Sequence, residues 1–522
     1  MLPIHAIKSA FKAKYAWAVL LGLLVGLRLL ALAVSPLPPG GDEAQYWHWS
    51  TTLDWGYFSK PPLIAWLISL TSWSIGDSAF GLRFSAPILH GIGAVFLFLT
   101  ARQLWPQERM VATWTAAIYL LMPAISLSSF LLTTDALLLP LAAMALYGFF
   151  RMLDQPGSLV WPVWLGVALG LGLLAKYAVL FLGAGFALLI LVDPALRQAI
   201  GWRKNSLILL IPILMILPNL AWNRDHSFAT LSHTAANVDL AQASTQFSLL
   251  SSAQELGTFW LSQFGVFGPI PFFLLLLAFG WALTKPRQSP EFRLMVLGLI
   301  PLLIISVQAF SSRAHGNWAV IAFVPASLLL ARFAARDWRQ TLLLVSLGLH
   351  TILATGLLVV LAKPDRFTEG PLGAVLQPLT GWDQTISEIM AKYANDGTGQ
   401  PFAAIVTDTR LFHYSITWGL RHQSEIELKM WPRYGVPHSH RELMEPLLPG
   451  DPRKLLVIVS RPRFAPRVLA DFRRIQSLGL VHIPLGAGRT RQFELFEAQG
   501  YAPQTRDEAY EQRWQYLDSP PS

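Results

Sequence analysis

Cysteine is absent from this 522-residue chain. That excludes disulfides, a thiolate nucleophile and cysteine-based metal centres. Charge is scarce as well: Asp, Glu, Lys and Arg make up 14% of the residues, against about 25% in an average soluble protein. There is no G-x-G-x-x-G, P-loop, H-E-x-x-H or G-x-S-x-G sequence, which removes nucleotide binding through the usual phosphate cradles. No internal repeat of fixed period and no low-complexity segment is present.

What the chain has instead is apolar runs. Hydrophobic residues make up 53%, and runs of about 20 residues recur, as a polytopic α-helical membrane protein requires. The net charge of +9 does not indicate nucleic acid as a partner, because the cations sit between apolar runs, where membrane topology places them. The start is basic (Lys8, Lys12, Lys14), and Ala31-Leu32-Ala33 has the look of a cleavage site. The run Ala16 to Val34 has 19 residues, however, longer than the about 7–15 of a signal peptide, so it reads as a retained first span.

About 11 transmembrane helices are expected, at 15–34, 80–101, 110–131, 134–150, 160–175, 178–193, 206–222, 259–283, 294–310, 317–334 and 341–362. The stretch 160–193 reads either as two short spans or as one helix broken at Ala175-Lys176. With the N-terminus cytoplasmic, inner segments hold fifteen Lys and Arg and short outer loops five, which supports that orientation. Two outer loops are long, 35–79 and 224–258. The first is rich in Trp and Tyr, and its apolar part 61–75 is too short to span and reads as an interfacial helix. The second is polar, with Asp225, His226, His233, Asp239 and Glu255, and reads as a lid. A membrane domain over 1–363 and a small C-terminal α/β extracytoplasmic domain over 364–522 are expected, with β-like runs at Ala403–Thr407, Leu455–Val459 and near Gln492–Phe496, and a helix at Thr385–Tyr393.

Chemistry is expected in the first outer loop. Gly41-Asp42-Glu43-Ala44-Gln45-Tyr46-Trp47 follows the first span directly, and Tyr57-Phe58-Ser59-Lys60-Pro61-Pro62-Leu63 comes next. Charge this close to a bilayer is costly and usually functional. Asp42 and Glu43 are neighbours and cannot face one way; the bland alternative is that Asp42 caps a helix. Lys60 is stiffened by the prolines after it, which suits a fixed cation for a phosphate, or a lysine snorkelling to headgroups. The aromatics, Tyr46 and Tyr57 among them, form either an interface belt or a wall for a sugar or isoprenoid. Asp135, Lys176, Arg83, Arg313, His315 and Asn317 fall on the same outer side, from separate loops, while Arg28 lies within the first span and calls for a partner in the bundle. His226 and His233 are seven apart, a weak metal-ligand pattern.

These fragments resemble the GT-C type membrane glycosyltransferases, in the bacterial group related to protein O-mannosyltransferases and the lipid A aminoarabinose transferase (families 39 and 83). Thr133-Thr134-Asp135-Ala136, Leu174-Ala175-Lys176-Tyr177 and Ala314-His315-Gly316-Asn317-Trp318-Ala319 add to the likeness, which covers about 1–340. The resemblance implies a multi-pass protein of the bacterial inner membrane with a periplasmic site. The donor it implies is a polyprenyl-phosphate-sugar. The acceptor would be a membrane-associated or envelope molecule: lipid A, another glycolipid, a polysaccharide or a protein. It implies Asp42, supported by Glu43, and Asp135 as catalytic acids, and Lys60 at the donor phosphate. By charge and placement Arg83, Lys176 or Arg313 are expected beside Lys60, and Tyr46, Tyr57, His315 and Asn317 are the expected substrate contacts. No cofactor is certain, and a divalent metal ion is left open. The aminoarabinose transferases carry Glu before Lys-Pro-Pro where this chain has Ser59, which puts in question any metal or substrate contact made by that Glu.

The expected reaction is attack of an acceptor hydroxyl or phosphate on the anomeric carbon, with a carboxylate taking or polarising the proton, polyprenyl phosphate leaving onto fixed cations, and inversion at the anomeric carbon. The competing readings are a lipid-linked oligosaccharide polymerase or ligase, and a lipid-linked sugar transporter or flippase.

Overall fold

A computed structural model describes residues 4–238, 248–423, 425–450 and 452–517. The chain divides into two compact units. One comprises 1–34, 54–56 and 60–362; the other comprises 35–53, 57–59 and 363–522.

The first unit is helical. Among the described residues, seven helical stretches are long and apolar enough to cross a membrane: Trp17–Val34, Ala79–Leu104, Thr134–Asp154, Pro194–Asp225, Pro290–Ser311, Gly316–Phe333 and Asp337–Ala362. The pair Leu249–Phe267 and Pro269–Leu283 makes an eighth if taken as one broken span. The expected count of about eleven is therefore corrected, and the local causes are visible. The segment 110–131 is not one helix, because Met122 takes ψ 138 and ends the helix Arg109–Leu121. A residue before proline is pushed out of the α region, and Pro123 opens a separate short helix to Ser128. The expected span 259–283 straddles Gly268, whose φ of 104 suits glycine alone; the chain bends there by 113°. Over 160–193 there are two helices of 16 and 14 residues, separated at Lys176, each shorter than the about 20 residues a span needs. The stretch expected as interfacial forms the 13-residue helix Leu63–Ile75. The polar segment 224–258 is largely helical where it is described, with helices ending at Asp225, running Ala229–Val238 and starting again at Leu249; Asp239 lies outside the described residues.

The core of this unit is made of apolar residues with no accessible surface, such as Leu97, Leu146, Leu275, Leu297 and Leu328. Arg28 is buried in it, as its position in the first span demanded, and it is satisfied: Nη1 donates to Ser129 Oγ at 2.9 Å and Nη2 to the Leu120 carbonyl at 2.6 Å.

The second unit is α/β. Its sheet has the order β2-β1-β3-β5-β4, with β1 Ala404–Thr407, β2 Leu428–Met430, β3 Leu455–Val459, β4 Phe472–Gly486 and β5 Arg489–Tyr501. β1 lies parallel between β2 and β3, and β5 is antiparallel to both β3 and β4. The three parallel strands are short and almost wholly buried, both faces of the sheet being covered. Ile405, Leu456 and Ile458 pack to one side with Ile389 and Phe412, and Val406, Val457 and Val459 to the other with Trp431 and Val468. Helix Trp382–Tyr393 and helix Arg410–Gly419 flank this sheet.

Candidate active site

Helix Gly41–Ser50 carries the acidic pair. Its N-cap is Gly40, and Glu43 Oε2 accepts the Gly40 N–H at 3.1 Å. This is the reaching-back half of a capping box, so the buried neighbour, Glu43, closes the helix start while Asp42 projects outward. The Asp42 side chain is 60% exposed. One face of this helix lies against helix Arg410–Gly419. Gly41 makes the approach possible, since a Cβ there would meet Leu411 Cβ at 3.0 Å and Leu411 Cα at 3.1 Å. Arg410 Nη1 donates to Asp42 Oδ1 at 2.8 Å, and the same nitrogen contacts Gln45 Oε1. Further along, Trp47 meets Trp418 edge to face, with ring centroids 5.0 Å apart. His48 lies beside Tyr414, and its Nε2 is 3.2 Å from Arg441 Nη1. Burial, with the Arg441 cation and His440 nearby, holds His48 down to about 3, so it is a neutral ring at physiological pH. Burial lifts Asp408, two residues before Arg410, to about 6 against the pull of its hydrogen bonds to Ser460.

The aromatics of the first loop differ in role. Tyr57 is fully buried and stacks on Trp49 at 4.9 Å; its hydroxyl donates toward the carbonyls of Trp49 at 3.0 Å and Thr52 at 3.1 Å. Tyr46 is buried beside Trp49.

In the membrane unit, Lys176 Nζ and Asp135 Oδ1 are 2.7 Å apart and both are largely buried. Two residues assigned by sequence to different tasks thus form one ion pair. Arg83 is buried near the end of its short helix. Lys60 sits half-buried just before Pro61 and Pro62, and the helix that starts at Leu63 supplies one wall of an apolar groove. Leu63, Trp66, Leu67 and Leu70 face Leu89, Ile92, Phe96, Leu137 and Leu141 across about 450 Å³. Arg313 and His315 lie exposed on one loop and Asn317 exposed on the 3-10 turn that follows it, with His315 packed edge-on against Trp318. His226 stacks on Trp222 at 4.1 Å. Among the described residues no group of three His, Asp or Glu is placed to hold a metal ion.

Sequence reasoning missed Arg410, Gln45, His48 and Arg441. One signal was available for Gln45, which follows Asp42 by three residues and so shares its helix face. Nothing in the sequence singles out Arg410 among 40 Lys and Arg.

One unit thus carries a helix with a projecting carboxylate, and the other a many-helix apolar bundle of membrane-protein character with an apolar groove. The comparisons identify the family. The family model for dolichyl-phosphate-mannose-protein mannosyltransferase matches residues 59–222. The lipid A galacturonosyltransferase RgtD of Rhizobium johnstonii is 34% identical over 411 residues, 78% of this chain and 83% of that protein. An undecaprenyl phosphate-α-4-amino-4-deoxy-L-arabinose arabinosyl transferase of Pectobacterium atrosepticum is 27% identical over 53% of this chain and 50% of its own length. In fold, the chain matches ArnT of Cupriavidus metallidurans with a TM-score of 0.62 at 15% identity, covering 94% of this chain and 100% of that one; that protein has also been seen bound to undecaprenyl phosphate. The chain is a multi-pass membrane glycosyltransferase of GT-C fold. It belongs to the family that includes the Rhizobium lipid A galacturonosyltransferase.

Proposed function

We propose that this enzyme transfers a uronic acid from a polyprenyl-phosphate-linked donor to lipid A or the lipopolysaccharide core, on the periplasmic face of the bacterial inner membrane. The observation that carries the donor class is the order Lys60-Pro61-Pro62 followed at once by a groove-forming helix. A lysine on backbone stiffened by the two prolines after it suits the phosphate, and the apolar groove lined by the helix that follows, within the about 300–1,000 Å³ of ligand clefts, suits the first isoprene units. The relatives' galacturonosyl and undecaprenyl-linked chemistry supports the sugar and the carrier. The excess of cations on segments read as cytoplasmic supports the side of the membrane.

In this reading an acceptor oxygen attacks the anomeric carbon while Asp42 takes its proton. The bond from that carbon to the phosphate oxygen breaks, and the electron pair leaves with polyprenyl phosphate. Lys60, with Arg83 and Arg313, stabilises the growing phosphate charge, an electrostatic effect that counts most in a site shielded from water. Direct displacement inverts the anomeric centre.

The test is transfer in membranes from radiolabelled undecaprenyl-phosphate galacturonate, wild type against Asp42→Asn. The expected result is a labelled lipid A or core product from wild type and a loss of about 10²-fold or more in the variant. No transfer by wild type from any polyprenyl-phosphate sugar would sink the reading in favour of a transporter.

A further inference from the structure

We infer that Arg410 is a positioning residue for Asp42, an inference that rests on the reading of Asp42 as the base. Gln45, buried at 1% exposure, cannot move without unpacking its helix. Its Oε1 holds the Arg410 guanidinium, and Arg410 Nη1 in turn holds Asp42 Oδ1 at 2.8 Å. Asp42 and Gln45 are three apart on the helix and so present their oxygens on one face, which the planar guanidinium bridges from one nitrogen. Rigidity passes from the buried amide to the exposed carboxylate.

Two features give this contact its purpose. Asp42 and Arg410 are 60% and 38% exposed, and an ion pair so open to water contributes little to stability. Holding is therefore its effect. Secondly, the pair occupies Oδ1 only. Among the described residues Oδ2 has no hydrogen bond, so the clamp leaves one oxygen with a fixed direction for the acceptor proton. Near-attack geometry is sensitive at this scale, where a misplacement of about 1 Å costs about 10²-fold.

The experiment measures kcat and donor KM for Arg410→Ala and Arg410→Lys, each in the wild-type and Asp42→Asn backgrounds, with thermal unfolding in detergent as the check on folding. Arg410→Ala is expected to lower kcat about 10–100-fold with donor KM within about 3-fold, the signature of lost transition-state alignment rather than lost binding. Arg410→Lys, keeping charge without the planar fork, is expected to recover part of kcat. In the Asp42→Asn background, Arg410→Ala is expected to add less than about 2-fold, because residues acting as a unit are non-additive. Full kcat in Arg410→Ala beside a crippled Asp42→Asn would overturn the inference and leave the base assignment standing. So would a multiplicative loss in the double variant, or a loss confined to KM. Full kcat in Asp42→Asn would remove the base assignment and this inference together.

Discussion

Lys176 Nζ donates to Asp135 Oδ1 across 2.7 Å, joining the segment between two short helices to the first turn of the helix Thr134–Asp154. The two side chains are 19% and 13% exposed, so each neutralises a charge that would otherwise be poorly solvated.

Removing either partner alone is therefore worse than removing both. Asp135→Asn and Lys176→Met are each expected to destabilise by about 2–4 kcal/mol, somewhat under the fully buried case, and the double variant by clearly less than the sum. Thermal unfolding of the purified protein in detergent measures this. Additive losses would show that the pair is not an energetic unit.

The apolar groove should read the length of the carrier lipid. Leu67→Trp places a larger ring on the wall formed by Leu63, Trp66 and Leu70. Donor KM is expected to rise about 10-fold for an undecaprenyl carrier, the weight of roughly two buried methylenes, and to stay level for a methyl phosphate donor, which has no isoprene unit to enter the groove. Equal effects on both donors would place the lipid elsewhere.

Helix Gly41–Ser50 stands where any side chain at position 41 would press on Leu411 backbone. Gly41→Ala is expected to cost about 1–3 kcal/mol by overpacking and to lower kcat, because Asp42 is the next residue. Gly22, which has open space around it, is the control: Gly22→Ala should leave both unchanged. Unfolding curves and initial rates distinguish the two.

Histidines in the second unit set an acid limit. His48 is held down to about 3 by burial and Arg441, and His413 is lowered well below its ordinary value by burial. In the unfolded chain both titrate near 6.5. Below about pH 6.5 the unfolded state thus binds more protons, and the stability due to a neutral buried ring declines as pH falls from there toward 3. Asp408, raised to about 6, acts in the opposite sense: its contribution is present below about 4 and is lost as pH rises through 6. The difference in unfolding temperature between wild type and His48→Gln isolates His48. That difference should shrink steadily between pH 7 and pH 4; a constant difference would contradict the burial argument.

The class of the protein was legible in the residues because bilayer insertion reads the chain locally. Nineteen apolar residues cross wherever they occur, and the cations between runs orient them. The motif Gly41-Asp42-Glu43 and the Lys60-Pro61-Pro62 segment were legible for the same reason, as short strings beside the first span. β1, β3 and the helix at 382–393 were visible through their apolar patterns. β4 was not, since most of its fifteen residues are exposed and it is held by pairing with β5 rather than by a buried face.

Where helices break was decided by single backbone positions, Met122 before proline and Gly268 at positive φ, that barely mark a hydropathy profile. Which acid projects and which closes the helix was decided by the N-cap at Gly40. The partners Arg410–Asp42 and Lys176–Asp135 required the tertiary structure, because they join residues 368 and 41 positions apart. A charge on its own stretch of chain carries no record of the charge it will meet; only packing brings the two within Coulomb range. By itself, the sequence determined that this is a membrane enzyme with an acidic first loop. The fold alone decided that a C-terminal arginine holds that loop's aspartate.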